Sequence, residues 1–380
     1  MTTVTKDSQE TKKQKSPARE WLESIVFAIV VASAVHWLII QPFTIPTSSM
    51  ENSLLTGDFL FVSKLHYGAR TPKTLIQFPL THQTFWGSSI PSYLDWIQMP
   101  QTRLPGFSSV KNNDVVVFNV PLEHPATYQK YQNILNLPKG YPVDLRTNYI
   151  KRCVAIGGDK IEIKDRQVYI NDRPVQNPPN MQFRYIVSAM QMPDDRFFKR
   201  YNISTAPSEF GFLSGGFQAH ISPQTVEELK KLDFIKAIVP VNNQPESILF
   251  PRDTTFKWSL DNFGPLVVPK EGTTIKLDAR NLALYRDVIL YFDHNKDVKE
   301  ENGKIILNGQ PITEYTFNQN YYWMMGDNRH NSVDSRYWGF VPEDHVVGKA
   351  VLVWLSIDPT ESWLHIGDKV RWKRLFSGIN

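Results

Sequence analysis

Tyr149-Ile-Lys-Arg-Cys-Val-Ala-Ile156 is the stretch on which the fold turns. It is rich in aromatic and β-branched residues and is followed by Gly157-Gly158, so it reads as a strand. Alternate side chains of a strand share a face, which sets Lys151 beside Cys153 and Ala155. Asp114 to Asn119 and Val351 to Ile357 read the same way. Phe59, Phe61, Leu65 and Tyr67 alternate with Leu60, Val62 and Lys64 after Gly57-Asp58. Gln167 to Val175 and Lys304 to Ile312 each join two short strands through an Asn-Asp or Asn-Gly turn. A mainly β fold is expected.

Two helical patterns lie between those hairpins. One starts at Ser222-Pro223, a cap followed by proline at the first helical position, and continues through Val226, Leu229 and Leu232. The other puts Leu282, Tyr285, Ile289 and Phe292 on one face. Residues 176–300 are therefore expected to form an α+β subdomain inserted into a β-domain made of residues 42–175 and 301–380. Residues 72 to 107 hold Pro72, Pro79, Pro91, Pro100 and Pro105 among Phe78, Phe85, Trp86, Tyr93 and Trp96, a composition hostile to long regular elements. The segment suits an aromatic loop on lipid headgroups or a flap packed on the core. At the carboxyl end Trp363, Lys369, Arg371, Trp372, Lys373 and Arg374 form a basic aromatic tail, fit for anionic lipid or for packing on the β-domain.

Composition narrows the function classes. Of 380 residues 41% are hydrophobic, and 42 basic against 38 acidic side chains leave a net charge of +4, so no basic field points to nucleic acid. The single cysteine, Cys153, excludes an intrachain disulfide and any multi-cysteine metal site. None of H-E-x-x-H, G-x-G-x-x-G, the P-loop pattern or G-x-S-x-G occurs.

Ile25 to Ile40 carries no formal charge apart from His36 and follows a polar segment holding Lys6, Lys12, Lys13, Lys15 and Arg19. Its length corresponds to about 24 Å of helix against a hydrocarbon core of about 30 Å, so Trp21, Leu22 and Gln41 are expected to complete a span over residues 24–41. No Lys or Arg occurs from Gln41 to Ser63, which puts residues 1–23 in the cytoplasm and the rest of the chain outside it. A cleaved signal peptide is the alternative. The apolar run exceeds the usual length for one, and no A-x-A precedes Pro42.

Three clusters set reactive groups in unusual places: Pro46-Thr-Ser-Ser-Met50, Tyr149-Ile-Lys-Arg152, and Gly326-Asp-Asn-Arg-His-Asn-Ser-Val-Asp-Ser-Arg336. A serine hydroxyl is a weak nucleophile and needs a base. No histidine lies near Ser49 in sequence. A lysine serves if burial keeps its amine neutral, and Lys151 has small apolar neighbours on its face. From the residues alone, a lysine that reaches solvent and a serine that makes a turn remain open readings. Cys153 reads as a buried structural thiol ahead of a nucleophile.

In this order and after an anchor, the clusters resemble the bacterial type I signal peptidases, membrane-bound serine endopeptidases with a Ser/Lys dyad on a mostly β fold. Gly326 to Pro342, GDNRHNSVDSRYWGFVP, is the most specific match; IPTSSM, NDVVVFNVP and YIKRCVAIGGD are similar to the other family boxes. The resemblance implies that Ser49 is the nucleophile and Lys151 the general base. It also implies that the Thr47 hydroxyl and the Ser49 amide form an oxyanion hole. Ser332 would hydrogen-bond the Lys151 amine, Asp334 and Arg336 would pair structurally, and Gly326 would let the backbone approach the lysine. Phe43, Ile45, Pro46, Leu54, Tyr149 and Ile150 would line the substrate pocket. The substrates would be secretory preproteins cut after small residues at positions −3 and −1, at the cytoplasmic (inner) membrane with lipid as a partner. No metal or cofactor is required by that chemistry.

The sequence departs from the family pattern where Met50-Glu-Asn-Ser-Leu54 replaces Met-x-Pro-Thr-Leu, where Ser48 replaces glycine, where Thr47 replaces serine and where His330 replaces aspartate. Ser48 is a neighbouring rival hydroxyl, and Ser49 is favoured by its register with Met50. The rival functions are a catalytically silent membrane-anchored binding protein on the same fold and a soluble Ser/Lys autoprotease of the repressor type. Intact Ser49, Lys151 and Ser332 speak against the first, the anchor and the 326–336 loop against the second.

Overall fold

A computed structural model of the chain describes residues 16–121 and 142–379. Lys6, Lys12, Lys13 and Lys15 of the expected cytoplasmic segment lie outside the described residues. A helix runs over Pro17–Leu38, with Pro17 in its first turn and no residue buried. Its 22 residues correspond to about 33 Å, enough to cross a hydrocarbon core. The helix starts ahead of the expected residues 24–41 because Arg19 and Glu23 form an exposed ion pair across its first turns, at 2.9 Å. It also ends sooner. Gln41 belongs to a strand and pairs with Val62, so it does not complete the span.

The main antiparallel sheet has the spatial order β1-β2-β7-β3-β4-β5-β6, with Ser377–Gly378 added beside β7. These strands are β1 (Ile40–Thr44), β2 (Asp58–Ser63), β3 (Val115–Asn119), β4 (Asn148–Ile156), β5 (Tyr321–Met325), β6 (Val341–Pro342) and β7 (Val346–Ser356). Every residue of β3 is buried, because apolar groups cover both faces of this central strand. Val115 and Val117 pack with Ile45, Met50, Leu54, Leu60 and Val62 on one side. Val116 and Phe118 pack with Cys153, Tyr322 and Met324 on the other. The strands expected at 114–119 and 149–156 lie within one residue of β3 and β4.

Both hairpins form as read. Asn171 and Asp172 adopt φ of 51° and 65°, and Asn308 and Gly309 adopt 51° and 76°, the left-handed pair that a tight hairpin needs. Within residues 176–300, a separate sheet orders Phe210–Leu213, Gly216–Ile221, Phe183–Ala189 and Ile235–Pro240 around its own core. Ser222 caps the helix Pro223–Leu229 by accepting the Thr225 N–H. The later strands pair outward: Phe263–Val267 joins Lys160–Lys164, and Val298–Glu301 joins Lys304–Leu307. Helix Ala279–Asp287 and the wider turn Val288–Phe292 bury Tyr285, Ile289 and Phe292 in the large core that also holds Trp323.

The 72–107 segment contains a two-stranded hairpin, Thr74–Gln77 with Tyr93–Gln98. Its base is tied down by the Asp144 carboxylate, which accepts the Lys73 and Thr74 N–H groups at 2.9 Å each. Phe78, Trp86 and Trp96 remain exposed. Trp37, at the end of the long helix, donates to the Arg70 carbonyl at 2.8 Å, so this hairpin springs from beside the helix exit. In the tail, Arg374 pairs with the fully buried Asp58, and Arg371 donates to the Thr56 carbonyl, while Trp363 and Trp372 stay exposed.

Candidate active site

Ser49 sits in a single 3₁₀ turn, Ser48–Met50, that follows extended Thr47. Met50 and Leu54 are fully buried and peg this turn to the core. Asn52 has a φ of 66°, a left-handed conformation that proline cannot adopt. The departure from Met-x-Pro therefore gives the chain behind Ser49 a different turn. Asparagine tolerates that conformation better than most residues.

Lys151 lies on β4 opposite Val116. It is 4% exposed, and its Nζ donates to Ser49 Oγ at 2.7 Å and to the Ile150 carbonyl at 3.0 Å. The Ser48 hydroxyl instead accepts from Asn331 Nδ2 at 3.0 Å. Tyr149, two positions back on the same face, puts its ring centroid 5.4 Å from the amine. Burial pushes the Lys151 amine down to about 8, against the opposing pull of Asp334 and Asp327. Cys153 is fully buried, and burial pushes its thiol well up, which removes it as a nucleophile.

The loop after β5 closes over this pair. Asp327 forks onto Arg152 at 2.9 and 2.7 Å, both side chains buried, and accepts the Ser53 hydroxyl at 2.6 Å. Asn328 donates its N–H to the Ser49 carbonyl at 3.1 Å and its side-chain amide to the Ser48 carbonyl at 3.2 Å. Asp334 forks onto Arg336 at 2.9 and 2.8 Å and accepts the Gly326 N–H at 3.1 Å. Burial raises the Asp334 carboxyl, but the Arg336 guanidinium and these hydrogen bonds outweigh it and hold the carboxyl below its usual value.

One expectation needs correcting. Ser332 does not hold the lysine: the amine is engaged by Ser49 and the Ile150 carbonyl, and the buried Ser332 hydroxyl lies by the Asp334 carboxylate. Gly326 packs against the serine turn and Ser332. A Cβ there would lie 2.3 Å from Ser332 Oγ and 2.5 Å from the Ser49 carbonyl oxygen. The expected pocket residues also divide. Ile45 and Leu54 are sealed in the core, Phe43 and Ile150 pack partly exposed against it, Pro46 is exposed, and Tyr149 meets Trp338 edge-on at 5.6 Å. Thr47 is exposed and makes no capping bond.

Sequence reasoning missed a His–Asp pair, His330 Nε2 to Asp261 Oδ1 at 2.7 Å. It is not a base for Ser49, since His330 Nδ1 accepts the Arg184 N–H and its other nitrogen faces Asp261. It missed as well the roles of Arg152, Asp327, Asn328 and Asn331. These stood inside the quoted clusters, and their type, charged or amide groups between apolar strands, was the signal.

The family described as signal peptidase, peptidase S26, matches residues 18–211 and 271–355. Signal peptidase I of Buchnera aphidicola subsp. Schizaphis graminum is 25% identical over 357 residues, which cover 92% of this chain and 79% of that protein. Signal peptidase I of Haemophilus influenzae is 24% identical over 381 residues, covering 98% of this chain and 80% of the relative. Signal peptidase I of Rickettsia canadensis is 25% identical over 210 residues, 54% of this chain and 63% of the relative. The matched residues hold Ser49, Lys151 and the 326–336 loop together, and the chain belongs to the signal peptidase, peptidase S26, family.

Proposed function

We propose that this chain removes amino-terminal signal peptides from secretory preproteins, with Ser49 as nucleophile and Lys151 as general base. The observation that carries the reading is the 2.7 Å contact between Lys151 Nζ and Ser49 Oγ, made by an amine that burial holds near 8. The neutral amine takes the Ser49 proton as Oγ attacks the scissile carbonyl carbon. The resulting ammonium returns the proton to the leaving amine, which leaves an ester on Ser49. Water, activated by the same amine, then hydrolyses the ester. The Ser49 N–H stands in the first turn of a 3₁₀ segment, where amides lack an intrahelical partner, and with the Thr47 hydroxyl it would bind the oxyanion.

An extended substrate would lie between the outer edge of β1 and the Tyr149–Lys151 end of β4, since β5 pairs with β4 only from Arg152 onward. Side chains at −3 and −1 would then meet the surface built from Phe43, Pro46 and Ile150 and backed by Ile45 and Leu54, which favours small residues. The helix Pro17–Leu38 would cross the cytoplasmic membrane with the amino terminus inside, and the exposed Trp86 and Trp96 would rest in the lipid headgroups. Residues 42–175 and 301–380 would form the catalytic domain and 176–300 its insert.

The test is cleavage of a preprotein with an Ala-x-Ala site by the detergent-solubilised chain, beside Ser49→Ala and Lys151→Ala. Cutting after the final alanine by the wild type only is the expected result. An inert wild type would favour a binding protein, and cleavage by Ser49→Ala would assign another nucleophile.

A further inference from the structure

Glu209 lies in the 176–300 insert, just before the strand Phe210–Leu213, and is 2% exposed. Its direction is fixed by its neighbour: Phe210 packs on Phe198 and Phe217 at centroid distances of 4.9 and 5.6 Å. One carboxylate oxygen, Oε1, accepts from Asn328 Nδ2 at 2.7 Å and from Asn331 Nδ2 at 3.2 Å. Each of those amide groups spends its remaining N–H on the nucleophile turn. Asn328 donates to the Ser48 carbonyl at 3.2 Å, and Asn331 donates to the Ser48 hydroxyl at 3.0 Å.

A carboxylate only accepts, so it admits the NH₂ end of an asparagine and refuses the oxygen end. The other end of Asn328 is fixed as well. Its Oδ1 lies 2.6 Å from His220 Nδ1, and His220 Nε2 accepts from Arg184 Nε at 3.3 Å, which puts the imidazole proton on Nδ1, facing Asn328. The insert also clasps the loop through its backbone: Gln182 N–H donates to the Asp327 carbonyl and Arg329 N–H to the Gln182 carbonyl, each at 2.9 Å.

We propose that Glu209 is a positioning residue for the serine: by orienting the amides of Asn328 and Asn331 it holds the Ser48–Met50 turn so that Ser49 Oγ meets the lysine. The proposal rests on Ser49 as the nucleophile. A displacement of about 1 Å at a reacting atom lowers rates by about 100-fold, so the loss falls on kcat and spares KM.

The experiment measures preprotein cleavage by full-length variants, with thermal melting as the check on folding. Glu209→Ala is expected to lower kcat by about 10- to 100-fold with KM within about threefold of wild type. Glu209→Gln, whose amide oxygen can accept both bonds, restores kcat to within about threefold, and Glu209→Asp, one methylene short, does not. Asn328→Ala combined with Glu209→Ala is no slower than the slower single variant, as residues of one network behave. Val239→Ala, exposed on another strand of the insert, leaves kcat unchanged. If Glu209→Ala does not fold, the order wild type, Gln, then Asp carries the test, and any other order overturns the proposal. A kcat within twofold for Glu209→Ala, or a loss that Gln shares, also overturns it. Cleavage by Ser49→Ala in the same assay removes the nucleophile assignment and this proposal with it, whereas an inert Ser49→Ala beside a fully active Glu209→Ala removes the proposal alone.

Discussion

Replacing Lys151 by Met separates the chemistry of the amine from the energetics of burying it. Lowering the amine from 10.5 to about 8 corresponds to about 3 kcal/mol of differential interaction against the charged form. The sign follows from proton linkage. Between pH 8 and 10.5 the unfolded chain holds a proton on Lys151 that the native chain has released, so native stability rises with pH across that window and is lost again as pH falls through 8. Lys151→Met has no such slope. Its lost hydrogen bonds to Ser49 and Ile150 shift the comparison by a constant, and the pH dependence remains. The difference in melting temperature, Lys151→Met minus wild type, should therefore fall by about 4 °C from pH 7.5 to 10.5, taking about 2.1 cal/mol/K per residue for the unfolding entropy. If the same amine is the base, as proposed, kcat/KM of the wild type should rise tenfold per pH unit below 8 and level off above it. Equal midpoints in the two measurements support one titrating lysine. A melting difference that stays constant with pH, beside an activity limb near 8, would refute the argument that burial sets the base.

Gly326→Ala should lower kcat by about 100-fold or more, because the new Cβ meets the Ser49 carbonyl oxygen at 2.5 Å and the backbone there has to shift; cleavage rate per folded protein checks it. Asp334→Asn should destabilise the chain by about 3 to 5 kcal/mol at pH 7 by leaving Arg336 buried without its counter-charge. Since the Asp334 carboxyl is held below its usual value, the wild type should lose that advantage as pH falls through the depressed value, so melting curves of the two proteins converge in acid.

What could be read in the sequence is what local chemistry dictates. β3 is a run of β-branched residues and β4 mixes them with an aromatic, the 171–172 and 308–309 turns need residues that accept left-handed backbone, and Ser222-Pro223 is a self-contained cap. Ser49 and Lys151 entered through short boxes rather than through contact. Long-range partners stayed hidden. Arg152 and Asp327 stand 175 positions apart, and Glu209 reaches Asn328 across 119, with nothing in the neighbourhood of either partner to name the other. The ends of the long apolar helix were misplaced for a related reason. Apolarity marks where a span lies, whereas the helix starts where Pro17 and the Arg19–Glu23 pair favour it and stops where β1 must reach β2.

On the proposal that Lys151 is the base, the distribution of charge around it bears on how ionic groups can be buried where an amine has to be neutral. Asp327 and Asp334 both raise the amine, in opposition to burial. Each carboxylate is claimed by an arginine of its own, Asp327 by Arg152 from the same strand as the lysine, Asp334 by Arg336 from the following turn. Burial prevails over both carboxylates, and the value settles near 8. Asp327 and Asp334 are then free to hold backbone and hydroxyl groups, the Gly326 N–H and the Ser53 Oγ, that fix the loop and the nucleophile turn. Carboxylates this close to a lysine would ordinarily make a salt bridge; with arginines of their own they serve as rigid acceptors and leave the lysine able to take a proton.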